Sequence, residues 1–363
     1  MSYTLTFYLP EAATPIAMIN AFRAMRLTRG VSRIGALNLT IDLDALDFVP
    51  QLDTRIVVTR EVDGYSWLIG GYLVRGIRRI LNNGDEAYTI RAHCYNSLVS
   101  RRIVAYQAAS AFSDKTARAD NMMKAVIREN LGTLADTGRN IAAYGLTVEA
   151  DLSLAGTVSA AFAFKNVYDT LGQIADIALA TNAERVYWDM RPTDIGWTCE
   201  FIARKDRTGA DRRFYTGSNP ILVSPEVGNV AVIEIDDDRT QEINYVWGAG
   251  QGVEDERSLV TVTDAARIAD SPINWMEGFF DGRNYETEAA LTAAAKRALS
   301  KGEPVYTFNA DLTETPNFKL GRDFAPGDLL TVSYAGERDV FVRGCTLVVT
   351  PQDEQIGVVL EAL

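Results

Sequence analysis

Short runs of β-branched and aromatic residues occur near both ends of the chain, and they constrain the fold more than any other feature. Arg55–Arg60 and Ser66–Ile69 alternate polar and apolar side chains on either side of a turn sequence. A second pair of runs flanks Asn82–Asp85, where Asn and Gly tolerate the positive φ of a tight hairpin. Further runs lie at 328–334, 340–342, 347–350 and 356–360. Strands this short, separated by turns, predict small barrels or sandwiches.

The middle of the chain changes to a helical period. Over Asp114–Gly132, apolar residues recur every three or four positions, which predicts an amphipathic helix. A second helix is predicted directly after Asn166, and a third over Glu286–Ser300. Because short β-type runs lie between these helices, the predicted fold class is α+β and β-rich. A polar stretch at 205–225 is typical of a crossing between domains.

Negative charge is concentrated in the last third of the chain. The formal net charge is −12, and residues 226–363 carry −14, against +3 for residues 1–105 and −1 for residues 106–225. A surface this acidic repels the phosphates of nucleic acid. The charge pattern therefore argues against a nucleic-acid-binding protein.

Neither a membrane span nor a secretion signal is expected from this sequence. No run approaches the ~18 consecutive apolar residues that a membrane helix needs. The first 22 residues contain no Lys or Arg, so the basic start of a signal peptide is missing. Cys94, Cys199 and Cys345 are odd in number and far apart, which predicts reduced thiols in a cytoplasm.

Residues that suggest catalysis or ligand binding are few. His93 is the only His, and its neighbour Cys94 is the obvious nucleophile, but adjacent residues of a strand point to opposite faces. Asp236–Asp238 lacks the Gly and the distal Glu of a calcium loop, and Gly248–Gly252 matches no phosphate loop. We interpret both as turns. We therefore expect no catalytic residue, no cofactor-binding residue, no cofactor and no metal site.

Two weaker patterns keep other functions open. Asp42, Asp44 and Asp47 could supply the paired carboxylates of a glycosidase, which lie roughly 5 to 9.5 Å apart. The alternation over Leu39–Leu43 instead predicts a strand with its polar residues outward. Tryptophans could stack on sugars, although a single Trp more often lies in the core. They are Trp67, Trp188, Trp197, Trp247 and Trp275.

A basic cluster is the candidate binding surface of the first third. It consists of Arg75, Arg78, Arg79, Arg101 and Arg102. No nucleic-acid-binding signature accompanies it. Arginine favours bidentate ion pairs at interfaces, and the acidic last third offers carboxylates within this chain or in a neighbouring copy. We expect pairing between subunits.

Four stretches in a fixed order, spread over nearly the whole chain, carry a family resemblance. They are Arg29–Gly35 with Leu39–Asp42 and Leu52–Val57; Gly70–Val74 with Cys94–Val104; Phe279–Arg283; and Phe318–Val332. In this order they resemble the bacteriophage tail hub proteins. That family occurs at the tail tips of siphophages and is related in fold to the baseplate hubs of myophages.

The resemblance implies a multidomain baseplate-hub-like fold, with two small tail-tube-like β-barrel domains and intervening mixed α/β domains. Residues 1–105 would form an N-terminal β-barrel hub domain, and residues 106–210 a mixed α+β domain. Residues 211–300 would form a β-rich segment and a helix that complete the hub. Residues 301–363 would form a C-terminal β-barrel unit.

The resemblance also implies a structural virion protein, and no enzyme. Such a protein forms the tail hub, terminates the tail tube and takes part in DNA passage during infection. It would be a homotrimer in the virion tail, made in the host cytoplasm. Its expected partners are the distal tail protein, the tape-measure protein and tip or fibre proteins, with DNA only transiently in the lumen.

We expect part of the acidic last third to face that lumen, because a lining that does not bind phosphates lets DNA pass. Two alternatives remain at this stage. One is a glycoside hydrolase that degrades the cell wall, and the other is a tail module that binds a receptor or a carbohydrate.

Overall fold

The computed structural model describes residues 2–82, 85–105, 113–193, 196–253, 256–285 and 287–363. The strands are β1 Ser2–Tyr8, β2 Pro15–Ile19, β3 Ala24–Gly30, β4 Ala36–Asp42, β5 Arg55–Val62, β6 Tyr65–Asn82, β7 Asp85–Cys94, β8 Ser113–Arg118, β9 Leu146–Val148, β10 Thr157–Phe162, β11 Val186–Pro192, β12 Cys199–Lys205, β13 Leu222–Val223, β14 Val230–Asp238, β15 Tyr245–Ala249, β16 Leu259–Thr263, β17 Glu277–Asp281, β18 Val305–Leu312, β19 Leu329–Ser333, β20 Glu337–Val349 and β21 Glu354–Ala362. The α-helices are α1 Ala119–Asn130, α2 Val167–Asn182, α3 Ala265–Ile268 and α4 Glu288–Lys301, and short 3-10 helices lie at Leu43–Ala45, Tyr95–Arg101 and Ala142–Tyr144.

One large sheet joins the two ends of the chain. Its strand order is β14-β18-β21-β20-β3-β4-β7-β6-β5-β1-β2, with β19 paired to β20 and β13 paired to β19. The junction is β20, whose residues Gly344–Val349 pair antiparallel with Met25–Gly30 of β3. Alternating apolar residues of this sheet, among them Leu5, Leu37, Leu39, Ile90 and Leu347, are fully buried in the main core.

The structure confirms the β-rich fold class with few helices but does not show the two separate small barrels. Within the described residues, the path of strands ends at β2 and at β14, and no closed barrel forms. The reason lies in the length of β20. Its first part pairs with β19 and its second part pairs with β3, and a bulge at Val342/Gly344 separates the two parts. The strands from the start of the chain and those from its end therefore share one sheet. The four-segment domain division stays a prediction.

The middle of the chain forms an α+β unit. Strands β9, β12 and β11 make one small sheet, and β8 and β10 make an antiparallel two-stranded sheet. Helices α1 and α2 pack on a shared core that includes Trp188. The helix after Asn166 is confirmed as α2, and the Asn166 side chain caps it by accepting a hydrogen bond from the Tyr168 backbone at 2.9 Å. The helix predicted from Asp114 begins only at Ala119, because residues 113–118 pair with β10 as a strand.

The acidic last third contains a smaller unit, in which α4 covers one face of the three-stranded sheet β16-β15-β17. The turn predicted at Asp236–Asp238 is wrong, since these residues extend β14 and pair with residues 305–307 of β18. The predicted crossing at 205–225 also packs closely, because Asp328 accepts from the Ala210 backbone at 2.6 Å and from Arg212 at 3.2 Å. In the hairpin predicted at 82–85, residues 83 and 84 lie outside the described residues.

Candidate functional site

The large sheet has two open edges. Strand β2 pairs only with β1, and β14 pairs only with β18, as far as the described residues show. On β2, Met18 is 66% exposed, and on β14, Val232 is 46% exposed. The carboxylates of Glu234, Asp236 and Asp237 are also exposed on β14. An open edge presents unpaired backbone N–H and C=O groups to a neighbouring strand, so both edges are candidate assembly surfaces.

A buried ion network braces the sheet between these edges. Arg60 on β5 is fully buried and donates to both carboxylate oxygens of Glu314, at 2.6 and 2.8 Å, and to the Leu320 carbonyl at 3.1 Å. It also forms an ion pair with Glu354 of β21 at 2.8 Å. Burial alone would raise the pKa of Glu314, but hydrogen bonds from Arg60 and the Leu320 backbone lower it below its usual value. The network fixes the first strands against the last.

A second set of contacts holds the α+β unit on the sheet. Arg29 of β3 forms an ion pair with the buried Asp189 of β11 at 3.0 Å. The buried Asn96 side chain donates to two backbone carbonyls of the 30–33 turn and accepts from the Met190 backbone at 2.7 Å. The rings of Tyr187 and Phe341 stack at 4.3 Å. Because these groups are buried and mutually satisfied, the unit and the sheet form a rigid junction.

The structure separates the residues that could have formed a catalytic site. His93 is exposed, whereas the adjacent Cys94 is buried, and burial raises the pKa of its thiol to about 11. Asp42 is held by Arg23, which also pairs with Asp85. Among the described residues, no group of three or more His, Cys, Asp and Glu side chains could hold a metal ion. The expectation of no site residues stays a prediction.

The predicted basic cluster splits into several local contacts. Asp53 pairs with both Arg75, at 3.1 Å, and Arg101, at 2.8 Å, and Glu86 pairs with Arg79. Asp53 and Glu86 belong to the first third of the chain. Within the chain, the carboxylates that pair with Arg75, Arg79 and Arg101 therefore do not come from the acidic last third, contrary to the prediction from the sequence. The sequence missed these pairs because the acids lie on other strands and loops.

Sequence reasoning also missed a cleft between β5 and the α+β unit. It has a volume of about 410 Å³ and contains Arg55, Arg101 and Arg102 above an apolar floor that includes Leu73 and Leu131. Arg55 is only 6% exposed, donates to the carbonyls of Tyr144 and Trp197, and forms no ion pair with a described carboxylate. We call this the arginine cleft. No local sequence pattern predicts the arginine cleft, because Arg55 lies in a run of residues typical of an ordinary strand.

An aromatic face lies on the side of the β16-β15-β17 sheet that α4 leaves open. The ring of Tyr245 lies 5.2 Å from that of Trp247 and 4.9 Å from that of Trp275. Trp247 is 39% exposed, Trp275 54% and Phe279 66%. The predicted core role therefore holds for Trp188 but not for Trp247 or Trp275.

Comparison with known proteins identifies the family of this chain and the solved structures that share its fold. The family model described as "Siphovirus ReqiPepy6 Gp37-like protein" matches residues 13–358. The chain belongs to this family. Among curated proteins, no match is found.

Solved structures of prophage tail proteins share the fold. The 43 kDa tail protein of prophage MuSo2 from Shewanella oneidensis is 9% identical, with a TM-score of 0.61 and coverage of 99% of this chain and 98% of that one. A tail protein from Neisseria meningitidis MC58 is 11% identical, with a TM-score of 0.60 and coverage of 100% and 97%. Prophage tail protein gp18 from Listeria monocytogenes EGD-e is 10% identical, with a TM-score of 0.52 and coverage of 99% and 94%.

The family match confirms the prediction from the sequence that the chain is a siphophage protein. Its fold is shared with solved phage tail proteins. No helix in the described part of the chain is long and apolar enough to span a membrane.

Proposed function

We propose that this protein is the tail hub, a homotrimeric ring that closes the end of the tail tube and takes part in DNA passage. The observation that carries the proposal is the open sheet, whose two free edges lie on a rigidly braced chain. In such a ring, β14 of one copy pairs with β2 of the next. This heterologous contact closes into a ring when the rotation between neighbouring copies brings the last copy back to the first.

Three further features support this role. The exposed apolar residues on both edges, such as Met18 and Val232, suit a strand-to-strand interface. In a ring, the strands from the start and from the end of each chain would pair with strands of the neighbouring copies. This pairing would complete the two barrel-like units that the single chain leaves open. Exposed carboxylates elsewhere in the acidic last third, such as Glu277 and Glu303, would give the ring an acidic surface that does not bind DNA phosphates.

We also propose that the hub has no enzyme activity and that it contacts the distal tail protein, the tape-measure protein and tip or fibre proteins. The structural nature of the family and the separation of His93 from Cys94 support the absence of activity. The pairing of Asp42 with Arg23 speaks against a glycosidase that uses this carboxylate. A dye-release assay on purified cell wall tests this point, because turnover abolished by Asp42→Asn would contradict it.

The trimer is tested by the mass of the purified full chain, of one edge variant and of a control variant. Met18→Lys places a charge on the β2 edge, where lysine blocks edge pairing without disturbing the sheet. We expect the wild type to form a ring of three copies and Met18→Lys to remain a monomer. Leu134→Lys is the matched control, because Leu134 is similarly exposed, at 67%, and follows α1 in the α+β unit, on neither edge strand. A wild type that stays monomeric, or a Met18→Lys ring, would refute the edge contact.

The aromatic face favours a second candidate function, the binding of a receptor carbohydrate. Its rings of Tyr245, Trp247 and Trp275 lie together at the surface, as in sites that stack on sugars. A glycan array on the full chain tests it. Binding that Trp275→Ala abolishes would support this function, and an array without binding would refute it.

A further inference from the structure

The arginine cleft holds more positive charge than the chain neutralises. Arg55, Arg102 and the neighbouring Arg139 form no ion pair with any described carboxylate, and Asp53 is shared between Arg75 and Arg101. The Nε atoms of Arg55 and Arg102 and one terminal nitrogen of Arg101 are buried without a hydrogen-bond partner. Burial, and then the like charges of Arg139 and Arg101, lower the pKa of Arg102. Arg55 is buried and Arg102 half-buried, and their hydrogen bonds go to backbone carbonyls, which leave the positive charge without a counter-ion among the described residues, so this cleft fits a site that a carboxylate completes.

The cleft lies beside one of the open edges. Pro10 and Glu11 line it, and the strand β2 begins shortly afterwards at Pro15. A strand from a second copy that pairs antiparallel with β2 runs with its C-terminal end toward this turn. Strand β14 has nine residues against five in β2, so it can reach up to about 13 Å beyond the end of β2 at ~3.3 Å per residue.

The C-terminal end of β14 is acidic. Asp236 and Asp237 are exposed, and among the described residues Asp237 forms an ion pair only with the exposed Arg239, at 3.4 Å. Ile235, next to them, is also exposed and matches the apolar floor of the cleft. A carboxylate beside an apolar side chain suits this cleft, because its own carboxylates, Glu11 and Asp53, form no ion pair with Arg55 or Arg102. Duplex DNA would instead place its phosphates on an open surface, where they could not reach the buried Arg55.

We propose that the arginine cleft of one copy binds the acidic end of β14, at Asp236 and Asp237, of a second copy of this chain. This inference rests on the proposed ring and names the contact that fixes the register between neighbouring copies. Arg102 and Arg101 pair with the incoming carboxylates, while Arg55 remains the buried base of the site. Since such pairs are partly exposed, raising the salt concentration weakens the contact.

A charge exchange on the full chain tests the inference, with assembly followed by analytical ultracentrifugation. We expect Arg102→Glu and Asp236→Arg each to raise the dissociation constant of the ring at least tenfold. The double variant Arg102→Glu/Asp236→Arg restores the opposite charges across the interface, and we expect it to return to within about threefold of the wild type. The matched control is Arg78→Glu, an exposed arginine on β6 that does not line the cleft.

The possible outcomes separate the two proposals. A wild-type ring that Arg102→Glu leaves unchanged, or a double variant no better than either single one, would overturn the inference alone. A monomeric wild type would overturn the ring and the inference together. Circular dichroism confirms that each variant folds, and Arg102→Gln, which removes the charge without reversing it, gives a second measurement with the same expected direction.

Discussion

Arg60 provides the sharpest test of how the large sheet is braced. The change Arg60→Met keeps an unbranched apolar stem, shorter than the arginine side chain, but removes the cation that neutralises Glu314, whose side chain is only 8% exposed. Removing one partner of a buried ion pair costs about 3–5 kcal/mol, because the other charge stays buried without a partner. Lys319 lies 3.3 Å from the same carboxylate and compensates in part, so we expect the low end of this range, about 3 kcal/mol.

Thermal denaturation of the variant and the wild type measures this loss. At about 2 °C per kcal/mol for large domains, the midpoint should fall by about 6 °C. Arg79→Met is the matched control, because Arg79 forms its 2.8 Å pair with Glu86 at the surface, where a pair contributes less than about 1 kcal/mol. A midpoint for Arg60→Met that equals that of the control would refute the brace.

The pH dependence follows from the same pair. The pKa of Glu314 is lower in the folded protein than in the unfolded chain, where it is about 4.3. The ionised carboxylate therefore contributes its full stabilisation above the unfolded pKa, and this stabilisation is lost as the pH falls through the pKa of the folded protein. The difference between Arg60→Met and the wild type should therefore shrink in acid. A constant difference from pH 7 to pH 3 would contradict this assignment.

Three other changes test the packing of the chain. Gly71→Ala places a Cβ 2.3 Å from the Tyr95 ring and should lower the free energy of unfolding by about 1–3 kcal/mol. Gly172→Ala on α2 places a Cβ with nothing within 4 Å and should raise the free energy of unfolding by about 0.5–1 kcal/mol. Urea denaturation measures both changes. Asp189→Asn removes the carboxylate that pairs with Arg29, and limited proteolysis should then cut the α+β unit faster than in the wild type. The three cysteine thiols are buried, which raises their pKa to about 11, 12 and 11 for Cys94, Cys199 and Cys345, so a thiol reagent at pH 8 should label them only after unfolding.

Local features of the fold could be predicted from the sequence. The helix α2 was found because Asn166 is a good N-cap and apolar residues follow it at helical spacing. The hairpin of β6 and β7 was found because its alternation and its turn residues lie next to each other. The start of α1 was misplaced, because the pairing of residues 113–118 with β10 depends on a strand far along the chain.

The surfaces that matter for assembly depend on long-range pairing. The strand β3 pairs with β20 from the other end of the chain, and this pairing decides which edges of the sheet stay open. The arginine cleft arises only when Arg55 meets the carbonyl of Trp197, 142 residues away. Such contacts leave no periodic signal in the sequence, so the order of segments indicated the family while the site itself had to come from the structure.

The mass and symmetry of the purified full chain, measured by native mass spectrometry and electron microscopy, test the central claim most directly. We expect a closed ring of three copies with an open centre. A protein that remains a single copy at every concentration, or that grows into open filaments, would contradict the account.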